Sequence, residues 1–388
     1  MLLLYYIWNL VVNFFTVFPP TPQFEAQTID NAISIGYGLA IGDVNGDRKP
    51  DILLADQKQF VWYRNGDWKR FVLAENLTER DNVCIAAQDL DNDGKVEIAV
   101  GAQWNPGETL DTTQSGAVFY LMRPKDPTQV WEAVRLPHEP TVHRMRWVKS
   151  KTGGSYLVVV PLHGRGNKAG EGAGVKIKAY QLPINPRSAW PTFTLHNTMH
   201  LTHNLEVKQG QTAKQTDLYV AGKEGVRFVS DFNGKLSANK AQEIAGVNLP
   251  TGEVRLGNIS KKQKFLATIE PMHGTAVAVY TLGPAATRQV LDENLKEGHA
   301  LATADLLGLG QDQVVAGWRL PNSDNKVGIK IYVPTHANST QWQTYWVDDN
   351  TMATEDLQVQ DLNADGKPDI IAAGRATKNL KIYWNRSK

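Results

Sequence analysis

Apolar and polar positions alternate along this chain in short runs, not at helical spacing. Runs such as "DILLAD", "EIAVGAQ", "YLVVVPLHG", "FLATIEPMHG", "QVVAGWR" and "DIIAAGR" are rich in β-branched residues and are bounded by Gly, Pro, Asn and Asp. That is how strands and turns read. Each run follows another apolar run, and these leading runs begin near Tyr37, Asn82, His143, His203, Glu253, His299 and Glu355. A third run comes next, as in "FVWYRN", "AVFYLM", "AVAVYTL" and "LKIYWN". A fourth is often Trp-rich, as in "WKRFVLAEN", "WEAVRLPHE" and "WQTYWVDDN". The unit recurs at a period of about 50 residues.

Four strands repeated seven times predict an all-β protein, a seven-bladed β-propeller. The last unit ends at "NLKIYWNRSK" and lacks a fourth strand, whereas "FEAQTID" at 24–30 has the fourth-strand pattern ahead of the first unit. The N-terminal strand is therefore expected to complete the last blade and close the ring, which removes its free edges. Residues 24–388 then form one domain. Ahead of it, "MLLLYYIWNLVVNFFTVFPPTP" is apolar from Leu2 to Phe18 and then stopped by prolines. Residues 1–23 read as a signal peptide or an N-terminal anchor. This predicts an extracytoplasmic location, periplasmic or secreted, with membrane contact only through that segment.

Composition narrows the picture. An apolar content of 42% in 388 residues supports a large core, and 32 Gly with 11 Trp suit many turns and blade faces. A net charge of +1 leaves no basic footprint for nucleic acid. The single Cys84 excludes an intrachain disulfide and reads as a small core residue of an inner strand.

Between first and second strands the chain carries an acidic repeat. "DVNGDRKPDI" holds Asp43, Asn45, Asp47 and Asp51; "DLDNDGKVEI" holds Asp89, Asp91, Asp93 and Glu97; "DLNADGKPDI" holds Asp361, Asn363, Asp365 and Asp369. Oxygens at alternate positions can wrap a hard cation, so these loops are candidate structural calcium sites. They are not EF-hands: the twelfth position from Asp89 is Val100, and the flanks are strands. A fourth copy, "DLLGLGQDQV" from Asp305, keeps only the first acid.

Blade topology puts these loops on one face. Starts of first strands and ends of second strands fall on the other. His143, His203 and His299 start first strands, and His163 and His273 end second strands. Three imidazoles converging on the ring axis, with Glu253 at the equivalent place, form a candidate channel site for a divalent transition metal, zinc first. His163, His273, Glu355, Arg319 and Arg375 are then the candidate catalytic groups. Trp318, Arg165, Glu270 and Arg146 are candidate substrate contacts, since aromatic, Arg and carboxylate groups suit a sugar. The Gly-rich "HGRGNKAGEGAG" lacks the ending and context of a phosphate loop and reads as a rim or lid.

"IEPMHGTAVAVYT", "GHALATADLLGLGQDQVVAGWR" and "MATEDLQVQDLNADGKPDIIAAGRATKNLKIYWN", with "VHRMRW" and "THNLEV", resemble the propeller domain of aldos-2-ulose dehydratases, also active as 1,5-anhydro-D-fructose dehydratases. The acidic units resemble FG-GAP/VCBS repeats. The family resemblance implies a metal-dependent lyase that removes water from a small keto-sugar. Two alternatives stay open: a polysaccharide lyase or glycoside hydrolase acting on rhamnose- or uronate-type glycans at the same face, and a non-catalytic propeller binding glycan or protein.

Overall fold

Each predicted run forms a strand. The computed structural model describes residues 19–150, 154–209, 216–230, 232, 241–335 and 341–388. The apolar N-terminal segment up to residue 18, and His336, lie outside them. Seven four-stranded antiparallel sheets make seven blades. Their innermost strands are Gly38–Gly42, Cys84–Gln88, Val142–Lys149, Thr202–Gln209, Glu253–Asn258, Gly298–Ala304 and Thr354–Gln360. In six blades the four strands pair in chain order. In the seventh, Phe24–Asp30 pairs antiparallel with Asn379–Asn385, from Phe24 opposite Asn385 to Asp30 opposite Leu380. The N-terminal strand closes the ring, as the sequence predicts.

Second strands read as continuous apolar runs because both of their faces are buried between neighbouring blades. In Glu97–Ala102, Ile98 and Val100 pack with Leu53, Phe60 and Trp62 of the preceding blade, whereas Ala99 packs with Met145 and Trp147 of the following one. The ring seam is built alike: Ile371 and Ile382 pack against Leu54 and Tyr63. Cys84 is a buried free cysteine in one of these clusters.

The acidic loops are turns that satisfy themselves. The acid at position nine accepts the backbone N–H of position two: Asp51 from Val44 at 2.9 Å, Glu97 from Leu90 at 2.7 Å, and Asp369 from Leu362 at 3.1 Å. Its second oxygen is also engaged, by the Asn65 N–H, the Arg123 guanidinium and the Asn385 N–H respectively. In the degenerate fourth copy, Gln313 makes the same bond to Leu306 at 2.7 Å, and Asp305 caps Leu309 and Gly310. The staple thus works without calcium ligands. Here the structure qualifies the sequence reading of Asp51 and Asp369: both carboxylates are tied into backbone hydrogen bonds. Burial away from water pushes Asp51 up to about 7. Only Asp89, Asp91 and Glu97 bring ligand oxygens within 4.8 Å of one another.

Candidate functional site

The histidine face is made by a local irregularity repeated in four blades. The first strands carry one extra residue relative to their partners at His143, at His203–Asn204, at His299 and at Glu355. A β-bulge breaks the two-residue alternation and re-aims a side chain. Residues that alternation would return to the blade core are thereby turned to the ring axis. His273 comes from the turn after Lys264–Glu270 and has φ of 52°. The next residue must be Gly274, since a Cβ there would lie 2.2 Å from the Glu270 carbonyl oxygen.

His203, His273 and His299 bring ring nitrogens within 4.8 Å of one another. Their centroids are 4.6 Å apart for His203–His273, 5.1 Å for His203–His299 and 4.9 Å for His273–His299. The Nδ1–H of His203 faces the Gly252 carbonyl at 3.1 Å, with a Glu253 oxygen also at 3.1 Å. The Nδ1–H of His299 donates to the Glu355 carbonyl. Anchoring Nδ1 fixes the tautomer and leaves Nε2 as a lone pair, the usual arrangement behind a metal ligand. His273 Nε2 meets His203 Nε2 at 2.7 Å, with its Nδ1 3.7 Å from Glu297. With the His273 proton on the Nδ1 side, toward that carboxylate, two lone pairs face each other, an arrangement that a shared cation relieves. The donor set therefore fits a transition metal on three imidazoles.

Electrostatics point the same way. Burial, above all, lowers the pKa of His143, His203, His273 and His299. Arg144 adds to this at His143, and Arg319 at His273 and His299. His273 falls to about 2. Four neutral imidazoles at neutral pH are four available bases or ligands.

Three sequence assignments change here. His143 does not join the cluster of three, and His273, expected as acid or base, takes its place. The His143 ring stands 4.5 Å from that of His203, its Nδ1–H donates to the His203 carbonyl at 2.8 Å, and no hydrogen bond among the described residues engages its Nε2. Glu253 is not in the ligand group either. It is buried beside His203, with one oxygen 3.1 Å from His203 Nδ1 and the other held by Asn204 at 2.7 Å and Arg255 at 3.3 Å.

Glu355, Arg319 and Arg375 are brought together beside His299. Arg319 reaches Glu355 at 3.1 Å and also pairs with Glu297, and Arg375 reaches Glu355 at 3.2 Å. His163 remains apart: it is half-buried, and its Nδ1 has no partner among the described residues. Arg165 sits on the rim, bonded to Glu139 at 2.9 Å.

Three proposed substrate contacts face elsewhere. Trp318 is fully buried in the blade core and donates to the Lys326 carbonyl at 2.8 Å. Glu270 is buried and consumed by Tyr280 at 2.6 Å and Arg288 at 2.8 Å. Arg146 lines the opposite end of the channel. Alternation along second strands explains Trp318 and Glu270, which pack between blades, whereas Arg146 lies further along the first strand Val142–Lys149, past the histidine end.

Conversely, three site residues went unassigned. Glu297 links Arg319 to His273, Tyr37 lies under the Arg375 guanidinium at 5.5 Å, and Trp104 packs on His143 at 5.1 Å. Tyr37 starts a first strand and Trp104 follows a second, so the same topological rule would have found both.

Comparisons agree with this architecture. Residues 115–282 match the family model for the aldos-2-ulose dehydratase β-propeller domain, and residues 43–100 match that for an FG-GAP-like repeat. No curated protein matches the chain. Among solved structures, BBS1N in a mercury-soaked complex with ARL6DN aligns with a TM-score of 0.55 at 14% identity, covering 94% of this chain and 97% of that one. A chain of the mitotic checkpoint complex aligns with a TM-score of 0.56 at 12% identity, covering 98% and 96%. At such identities these show the propeller fold alone. The resemblance read from the sequence is thus supported over these two stretches: the chain is similar to the aldos-2-ulose dehydratase β-propeller domain over residues 115–282 and to an FG-GAP-like repeat over residues 43–100.

Proposed function

We propose that the histidine face is a metal-assisted lyase site that removes water from a small keto-sugar. The observation that carries this is the convergence of His203, His273 and His299, with Nδ1 of His203 and His299 anchored and His143 left free beside them. The family match of residues 115–282 supports the sugar dehydratase class. A divalent cation on the three imidazoles would supply Lewis acidity to a carbonyl oxygen.

The chain's own groups do the rest. His143, neutral and held through Nδ1, accepts at Nε2 the proton of the carbon beside the carbonyl. The C–H bond breaks, a C=C bond forms, and the C–OH bond breaks. The departing hydroxide takes the proton back from His143 and leaves as water, so the balance closes. Arg319 and Arg375 keep donors beyond those spent on Glu355, and these suit sugar hydroxyls. His273 and Glu297, with side chains 33% and 35% exposed, form the open side through which substrate enters. The apolar N-terminal segment supports an extracytoplasmic location for this activity.

The test is metal content and turnover of 1,5-anhydro-D-fructose in three variants. His203→Ala and His273→Ala lose both metal and activity. His143→Ala keeps the metal and loses activity by about 10²-fold or more. Full activity in His143→Ala would remove it as the base. Unchanged metal in the other two would dissolve the three-imidazole site.

A further inference from the structure

One sizeable cavity lies away from the histidines. It lies at the acidic-loop end of the channel, with a volume of about 700 Å³. Five first strands line it with their later halves, among them residues 146–149 of Val142–Lys149 and 358–360 of Thr354–Gln360. That size falls in the range of small-molecule pockets.

Its chemistry is one-sided. Arg146, Lys149 and Lys208 line it, with Gln88, Gln358 and Gln360, and no carboxylate is among the described lining residues. Lys208 is matched by Glu206 of the same strand at 3.2 Å. Among the described residues, Lys149 reaches a side-chain amide, Asn92 of the second acidic loop, at 3.0 Å. Arg146 is the deepest of these on its strand. Its one hydrogen bond goes to the Met145 carbonyl at 2.9 Å, and no carboxylate of the described residues lies within 4.0 Å of it. A guanidinium carries five N–H donors in a planar fork. That fork bonds no carboxylate, although Asp356 and Glu206 act on it at longer range, and it lines a cavity that can hold an anion. Arg255, its neighbour in the channel, shows the contrast, being paired with Glu253 at 3.3 Å and Glu206 at 4.0 Å.

We infer that the acidic-loop mouth of the channel is a second binding site, separate from the histidine cluster, for a small molecule bearing an oxyanion, carboxylate or phosphate. Arg146 takes the oxyanion through its planar fork, and Lys149 supplies the second charge at the rim. The three glutamines offer donors and acceptors for hydroxyls on the same molecule.

Calorimetric titration of the full chain with inorganic phosphate, D-glucuronate and neutral D-glucose tests this. At least one oxyanion binds saturably and D-glucose does not; whichever oxyanion binds tighter identifies the natural headgroup as phosphate or carboxylate. Arg146→Gln weakens that binding at least about tenfold, the size of one charge-assisted contact. Lys149→Gln, a change at the rim, weakens it by a smaller factor. His203→Ala leaves it intact. Absence of binding by both oxyanions, equal binding by Lys149→Gln and Arg146→Gln proteins, or loss in His203→Ala would overturn the inference, the last by moving the anion to the histidine face.

Discussion

On the acidic-loop face, the carboxylates at positions one and nine find partners within their own blade or its immediate neighbour. On the histidine face, anchored imidazoles aim their free nitrogens at residues of other blades. Asp305 and Gln313 keep the acidic-loop turn with most ligands gone. Nothing local could assemble His203, His273 and His299, which come from three blades. A cation on the first face would add to a turn already made. A cation on the second face would join ring nitrogens from three blades that no single blade holds together.

The ring itself is the precondition for that difference, and breaking it has the largest effect. Deleting residues 24–30 uncovers the edge of Asn379–Asn385. The protein is then expected to aggregate or to lose its cooperative melt, as read by size exclusion and circular dichroism. A soluble deletion protein with an unchanged melt would show that the blades hold without closure.

Next in size is the support beneath the ligands. Glu253→Gln keeps the shape but removes the charge 3.1 Å from His203 Nδ1. Transition-metal affinity is expected to drop by about 10–100-fold. An unaltered affinity in competition titrations would reduce Glu253 to a structural partner of Arg255.

The faces also pull oppositely with pH. The imidazoles of His203, His273, His299 and the adjacent His143 have folded pKa values below the ordinary value of about 6.5, so below that pH the unfolded chain binds more protons. Their contribution is present at neutral pH and lost on acidification. Asp51 is raised to about 7, so the folded chain holds its proton between about pH 4 and 7, and its contribution falls as pH rises through that window. Burial raises Glu97 and Asp369 in the same direction, so four imidazoles stand against three carboxylates, and the urea midpoint of metal-free protein is expected to fall from pH 7 to pH 5. A midpoint that climbs instead would hand the balance to the acidic loops.

The smallest effect compares two loops. Asp89→Ala is expected to abolish calcium-dependent stabilisation at that site, about 2.7 kcal/mol at a hundredfold excess over Kd. Asp305→Ala loses two backbone caps, about 1 kcal/mol each, with or without calcium. Equal calcium responses in both variants would leave the second loop, like the fourth, a plain turn.

By itself the sequence determined whatever rests on local pattern. Two-residue alternation, turn residues and a repeat near fifty residues specified the strands, the blade count and the closing role of Phe24–Asp30. Topology alone, with no coordinates, put His143, His203, His273 and His299 on one face. Tertiary structure decided the roles. A bulge adds one residue to a first strand, and no composition signal marks where it falls, so the aim of His143 against that of His203 was not legible. Trp318 and Glu270 sit at strand ends that look equivalent to the site, yet alternation turns one into the blade core and gives the other to Arg288. Glu297 became visible only through Arg319, a partner from the following strand. Contacts between blades depend on distances that sequence separation does not encode, and the candidate site is made almost wholly of such contacts.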